Sequence, residues 1–308
     1  MSYTTGTANT TTALRAAIFA ACAADGWTVA SPVMSKGSLA MQIDLNTVST
    51  AQGLKFRGGK SVSAGALVGG CPNFVSMGDR TNLAFTFPLT YHILSFASPD
   101  EVYVVVNYDV DRYQWAAWGR SALTLPGTGM WFASVMAGSA GQPDTYIEAR
   151  NSGSAGSYTY TQPGPFWRNG AAEGFDSSYL ASQMHHGLDG DIWNDGALNN
   201  AGPYCASSAN PLFSLLPNAW NGEAVLLPML GLIKRPSNFT ALVCTPRNAR
   251  YLRIDNHSPG EIITLGADRW IAFPWLRKDA SRRNGTGGAI VADLHTGTMG
   301  WAIRYEGP

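Results

Sequence analysis

Residues 91–120 read YHILSFASPDEVYVVVNYDVDRYQWAAWGR, and this stretch decides the fold class. Three runs rich in aromatic and β-branched residues, Tyr91–Ala97, Glu101–Tyr108 and Arg112–Arg120, are separated by Ser98-Pro99-Asp100 and Asp109-Val110-Asp111. Both connectors are built from turn-forming residues. Connections this short join antiparallel neighbours, because a parallel crossover needs a dozen residues or more. The expectation is an antiparallel meander. Successive strand side chains point to opposite faces, so the unbroken apolar run Val104–Val106 predicts a middle strand covered on both sides. Met130–Met136 (MWFASVM) is the candidate fourth strand.

The C-terminal part repeats the theme. Glu261–Leu265 (EIITL) and Trp270–Leu276 (WIAFPWL) flank Gly266-Ala267-Asp268-Arg269 and read as a hairpin. A polar, glycine-rich stretch follows at Arg282–Gly288. Near the end, Trp301, Ile303 and Tyr305 alternate with Ala302, Arg304 and Glu306, the period of a half-buried strand that ties a fraying terminus into a sheet. Thr240–Cys244 and Tyr251–Ile254 are short strand candidates. The apolar run Ala224–Ile233 holds a proline and suits a buried strand pair or a loop.

Upstream, Thr10–Thr12 cap an alanine-rich run, Ala13–Asp25, with Leu14, Ile18 and Cys22 at helical spacing and Gly26 at the position after the helix. A strand begins at Trp27–Ala30, and Leu39–Leu45 alternates cleanly. Residues 52–80 are glycine- and serine-rich and weakly patterned. Residues 137–222 combine Gly, Ser, Asn, Pro and aromatics without a sustained period. A structureless loop of that length inside a compact domain is unusual, so an irregular insertion pinned by its aromatics is expected. The fold class is therefore mainly β: antiparallel, sandwich-like sheets with one N-terminal helix and a long irregular insertion. The expected organisation is a helix and meander over 1–136, the insertion over 137–222, and a β part over 223–308 that completes the same core.

Composition narrows the function. The 308 residues carry 21 basic and 21 acidic groups, and only 14% are charged. Nucleic-acid binding needs a basic footprint that this balance does not supply. Ten tryptophans, 34 glycines and an excess of arginine (16) over lysine (5) fit a chain that buries surface against partners; a large, aromatic-rich β monomer fits equally. The opening MSYTTGTANTTT has no basic and apolar signal regions, and no run reaches the roughly 20 apolar residues of a membrane span. Cys22, Cys71, Cys205 and Cys244 form no CxxC pair, which disfavours zinc, and free buried thiols are expected without export.

His185-His186 with Asp189, Asp191 and Asp195 resembles a calcium loop, but Trp193 falls at position 5 and Asn200 where the closing glutamate belongs. An EF-hand is excluded. An irregular calcium site and an Asx-rich solvent loop remain, and the loop is the simpler reading. Asp109 and Asp111 have the look of paired glycosidase carboxylates and equally that of hairpin chemistry. His92, His257 and His295 have no matching acid–base context, and no GxSxG occurs. Arg282–Gly288 lacks the Lys-Ser/Thr of a phosphate loop. Tyr160, Phe166, Trp167, Phe175, Tyr179 and Trp193 are candidates for stacking on sugars or for pinning the insertion. On this reading no catalytic, cofactor-binding or metal residue is assigned.

Tyr91–Gly119, Gly260–Lys278 (GEIITLGADRWIAFPWLRK) and Gly300–Pro308 (GWAIRYEGP), with the opening MSYTTGTA and the GWTV after the helix, resemble virion structural proteins of tailed bacteriophages and prophages, commonly those of tail and baseplate. The resemblance covers about a third of the chain, in order. It implies a non-enzymatic tail or baseplate component, made in the host cytoplasm and assembled with copies of itself and other tail proteins. The alternatives are a tail-tip module binding a host surface glycan through the aromatic insertion and, further off, a glycan-degrading tail enzyme using Asp109, Asp189 or Asp191.

Overall fold

The computed structural model describes residues 1–48, 51–78, 84–137, 165–166, 182–188, 190, 193, 224–234, 240–254, 256–278 and 299–307. In chain order the first elements are β1 (Ser2–Ala8), α1 (Thr11–Ala24), β2 (Thr28–Ala30), β3 (Val33–Lys36), β4 (Leu39–Val48), β5 (Ala51–Gly59), β6 (Ser61–Ser63), β7 (Ala66–Val68) and β8 (Val75–Met77). The meander follows as β9 (Leu89–Ala97), β10 (Asp100–Asp109) and β11 (Arg112–Arg120), then β12 (Met130–Ser134), β13 (Met136–Ala137) and β14 (Ser182–Met184). The last are β15 (Leu226–Pro228), β16 (Gly231–Lys234), β17 (Thr240–Cys244), β18 (Ala249–Arg253), β19 (Ile262–Leu265), β20 (Asp268–Pro274) and β21 (Met299–Arg304). Among the described residues the chain is mainly β, its sheets antiparallel, with a single helix near the N-terminus.

Three sheets carry the architecture. The first has the order β1-β9-β10-β11-β12-β14, the second β13-β8-β5-β4-β3-β2, and the third β15-β18-β21-β20-β19. Register sorts the first sheet's side chains into two faces. Val102 pairs with Trp118 and Val104 with Ala116, while Tyr103 pairs with Ala117 and Val105 with Trp115. The Trp118 face meets the second sheet, where Phe56 lies 5.9 Å away. The Tyr103 face meets the third sheet, where Trp301 stands 5.6 Å from Tyr103 and 5.4 Å from Trp115. The first sheet is thus a middle layer, and Val102 through Val106 are all fully buried. This is why the middle strand reads as a continuous apolar run: both of its faces are core.

The helix packs beside the second sheet, against β1 and β9. Its N-cap is Thr10, whose Oγ1 accepts from the Ala13 amide at 3.0 Å. The apolar stripe Leu14, Ile18 and Cys22 is fully buried, and Gly26 has φ +84 just after the helix. The step from β12 to β13 crosses layers. Ser134 is in the first sheet and Met136 pairs with Ser76 in the second, with the buried Val135 between them.

Four features add to the reading of the sequence. Residues 52–80 hold β5 to β8, masked in sequence by glycines; a Cβ on Gly58 would lie 2.7 Å from the Phe132 ring, so the strand sheds its side chain to let an aromatic pack. The opening SYTTGTA is an edge strand, β1, paired with β9 from Ser2↔Ser95 to Ala8↔Leu89. Part of the 137–222 stretch belongs to the main sheet, because β14 pairs with β12. Finally, β21 is the central strand of its sheet, and its outer face is wet at Arg304 and Glu306 but covered at Ala302. Ala302, on the face opposite Trp301, is fully buried with Leu252, Ile254, Ile263, Trp270 and Ala272 in a second apolar cluster.

Candidate functional site

A cleft opens where three separate stretches meet, at the end of β11. Its volume is about 480 Å³. Arg120, the last residue of β11, lines it together with Ser38, Lys60, Thr124, Thr128 and His185. Ser38 occupies the tight turn between β3 and β4, whose strands pair through Lys36↔Leu39. That turn is fastened to the middle layer by the ion pair of Lys36 Nζ with Asp100 Oδ1, 2.9 Å. Lys60 joins β5 to β6, its amide donating to the Val68 carbonyl at 3.0 Å.

The remaining wall is the loop over residues 121–129, which backbone bonds hold in place. The Ser121 amide donates to the Gly129 carbonyl (2.8 Å), Gly127 to His186 (3.0 Å) and Gly129 to His185 (3.1 Å). Approach is so close that a Cβ at Gly127 would lie 2.5 Å from the His185 carbonyl oxygen, so only glycine fits. Ser121 Oγ donates to the Val243 carbonyl at 2.8 Å. His185 is buried, and its Nδ1 accepts from the Thr128 amide at 3.0 Å. That bond places the ring proton on Nε2. The ring also packs 5.3 Å from Trp193.

Electrostatically the cleft is one-sided. Its lining holds Lys60 and Arg120 and no Asp or Glu. Arg120 Nη2 donates to Ser38 Oγ at 2.9 Å, and its Nε is buried without a partner among the described residues. The chemistry on offer is positive charge, hydroxyls and a rigid frame, the equipment of a binding site.

Elsewhere the described residues singled out in sequence have structural roles. Asp109 and Asp111 form the β10–β11 turn: Asp109 Oδ1 accepts the Val110 amide (2.8 Å), and Asp111 has φ +56. His92 shares a 2.7 Å hydrogen bond between its Nδ1 and the Tyr3 hydroxyl and lies 4.8 Å from the Phe273 ring; burial pushes its pKa down to about 4. His257 Nδ1 meets Glu261 Oε1 at 3.0 Å across a turn. His186 Nδ1 accepts the Leu188 amide. Phe166 and Trp193 are buried, with Trp193 Nε1 donating to the Gly69 carbonyl at 2.8 Å, so both pin the body and neither is an open stacking platform. Asp189, Asp191, Asp195, His295, Tyr160, Trp167, Phe175, Tyr179, Cys205 and residues 282–288 lie outside the described residues. Among those described, no group of three His, Cys, Asp or Glu is placed to hold a metal, and no helix is long and apolar enough to cross a membrane. Cys22, Cys71 and Cys244 are buried free thiols; burial pushes the Cys71 thiol up to about 12.

One buried charge stands out. Glu101, fully buried at the start of β10, accepts from the Tyr103 hydroxyl (2.8 Å), the Arg247 and Asn248 amides (2.8 and 3.0 Å) and Asn248 Nδ2 (2.8 Å). Burial raises its pKa against the pull of these four donors. It clamps the β17–β18 connection onto the middle layer and is satisfied where it sits.

Sequence reasoning passed over Ser38, Lys60 and Arg120 because no local motif joins residues so far apart. The one signal was an arginine ending a strong strand ahead of the turn-rich SALTLPGTG. No protein-family model matches the chain, and no curated protein matches it.

Proposed function

We propose that this chain is a structural component of a tailed-phage virion, of tail or baseplate, that works by self-association and by packing against other tail proteins. The observation that carries this reading is the third sheet, which ends on both sides in aliphatic surface. Ile262 on the edge strand β19 is 37% exposed, and Val225, directly ahead of the opposite edge strand β15, is 45% exposed. A strand edge bearing unpaired amides and an apolar side chain is a template for another chain. Zero net charge removes the repulsion that would keep copies apart.

The resemblance supports the same reading from another side. Its three segments become β9–β11, β19–β20 and β21, which meet across the middle and third layers through Tyr103, Trp115 and Trp301. A likeness concentrated in core strands is a likeness of scaffold.

The test is the particle itself. Tailed particles purified from producing cells should contain the chain in multiple copies, with density at a fixed position along the tail. The isolated chain should sediment above its monomer mass of 32.8 kDa. A chain missing from particles and monomeric at high concentration overturns the proposal.

A further inference from the structure

The cleft at the end of β11 is a second feature, independent of the assembly surface. We propose that it binds an oxyanion: a phosphate, sulfate or carboxylate group carried by a small polar ligand, held by Arg120 and Lys60.

The charge distribution argues first. In a chain with equal numbers of acids and bases, Arg120 lines a cleft whose lining contains Lys60 and no carboxylate, and the charge argument rests on Arg120. Nearby Lys36 shows what the fold does with an ordinary cation, pairing it with Asp100 at 2.9 Å. Arg120 has no such partner among the described residues. It is only partly exposed, spends one donor on Ser38 and leaves its Nε buried and unpaired. A guanidinium has five donors in a planar fork that matches an oxyanion two bonds at a time. Holding such a group half-desolvated and unpaired costs stability, and an arriving oxyanion would remove that cost.

Rigidity argues second. Arg120 sits in a strand whose partner β12 it meets at Met130. The backbone bonds of Gly127 and Gly129 fix the opposite wall, so the site exists before the ligand arrives, and little ordering cost remains on binding. Size argues third. About 480 Å³ lies in the range of small-ligand pockets and exceeds what a bare ion fills. Thr124 adds a hydroxyl to the lining for the uncharged part of the molecule.

The experiment is calorimetric titration of the full chain at low ionic strength with inorganic phosphate, sulfate, glucuronate and, as the neutral control, glucose. One saturable site is expected for at least one anion and none for glucose, and the preferred anion names the source of the charge. Arg120→Gln should weaken binding tenfold or more, Lys60→Gln severalfold, and Arg15→Gln on α1 not at all. The rise in melting temperature with anion concentration is the second readout. In Lys60→Gln the same rise should need severalfold more anion, which decides the matter should Arg120→Gln fail to fold. No saturable anion binding, or equal binding in the wild type, Lys60→Gln and Arg120→Gln, overturns the proposal.

Discussion

Trp301 in the last strand meets Trp115 in the middle sheet edge to face, ring centroids 5.4 Å apart and planes at 61°. Tyr103 closes on the same indole at 5.6 Å. One residue near the end of the chain therefore joins two sheets, whose backbones also meet at the Arg112–Arg277 bridge just beyond β20. Trp301 is fully buried, and its Nε1 has no acceptor among the described residues, so its contribution is volume and ring packing.

Replacing it separates those terms. Trp301→Ala should cost about 3–5 kcal/mol by opening a cavity between two layers. Trp301→Phe should cost much less, because it keeps a ring and removes an unsatisfied donor. Removing residues 300–308 goes further: it takes the centre out of the third sheet and strips β18 and β20 of their shared partner. That truncation should not yield soluble folded protein. Urea midpoints and the soluble yield measure all three, and a truncated chain that folds and incorporates normally would refute the role given to this strand.

Gly300 makes a sharper test of the same strand. A Cβ there would stand 2.3 Å from the carbonyl oxygen of Phe273, a backbone atom in the paired strand β20. Gly300→Ala must push the strands apart or twist them. The expected loss is about 1–3 kcal/mol, the range for overpacking a tight site, in place of the small gain alanine usually brings to a strand. Chemical denaturation reads it directly.

The meander was legible because turn chemistry and apolar runs agreed: Ser98-Pro99-Asp100 and Asp109-Val110-Asp111 lie at the turns that join β9, β10 and β11. Other strands were hidden for physical reasons. β1 is an edge strand of threonine and serine with only Ala8 buried, so it shows no apolar period. β5 carries Gly58, where a Cβ would touch the Phe132 ring. In β21 the alternation was real, but Ala302 is small enough to be core on one face while Trp301 is core on the other; alternation reports which face is bulky and leaves open whether the other is wet. The cleft was illegible for another reason. Ser38, Lys60, Arg120 and His185 become neighbours only through the stacking of sheets, which local pattern does not encode.

His92 predicts an acid-side weakness. Its ring packs on Tyr3 and Phe273, and burial depresses its pKa to about 4, below the ordinary 6.5 of the unfolded chain. A folded value below the unfolded one means that the unfolded state takes up the proton first. Its contribution is complete above pH 6.5 and drains away as pH falls towards 4, a loss on the order of 2 kcal/mol. His92→Gln keeps an acceptor for the Tyr3 hydroxyl and cannot be protonated in this range. The stability difference between pH 7 and pH 4.5 should therefore shrink in the variant. An unchanged difference would show that the ring titrates alike in both states.

Ile262 tests the assembly surface without touching the core. Its side chain is 37% exposed on the edge strand β19, while the next residue, Ile263, is buried beneath it. Lysine on an edge strand blocks pairing with another chain through charge and desolvation. Ile262→Lys should leave the melting temperature within a few degrees of wild type, since surface changes usually cost under about 0.5 kcal/mol. It should also shift the self-association midpoint to higher concentration by tenfold or more. Val225→Lys, at the opposite margin of the same sheet, should act alike if both edges take part, whereas Val110→Lys at the 83% exposed tip of the β10–β11 hairpin serves as the control for added charge. Sedimentation of the three variants across a concentration series discriminates them. Self-association that responds equally to all three would mean that net charge drives it and that the strand edges do not.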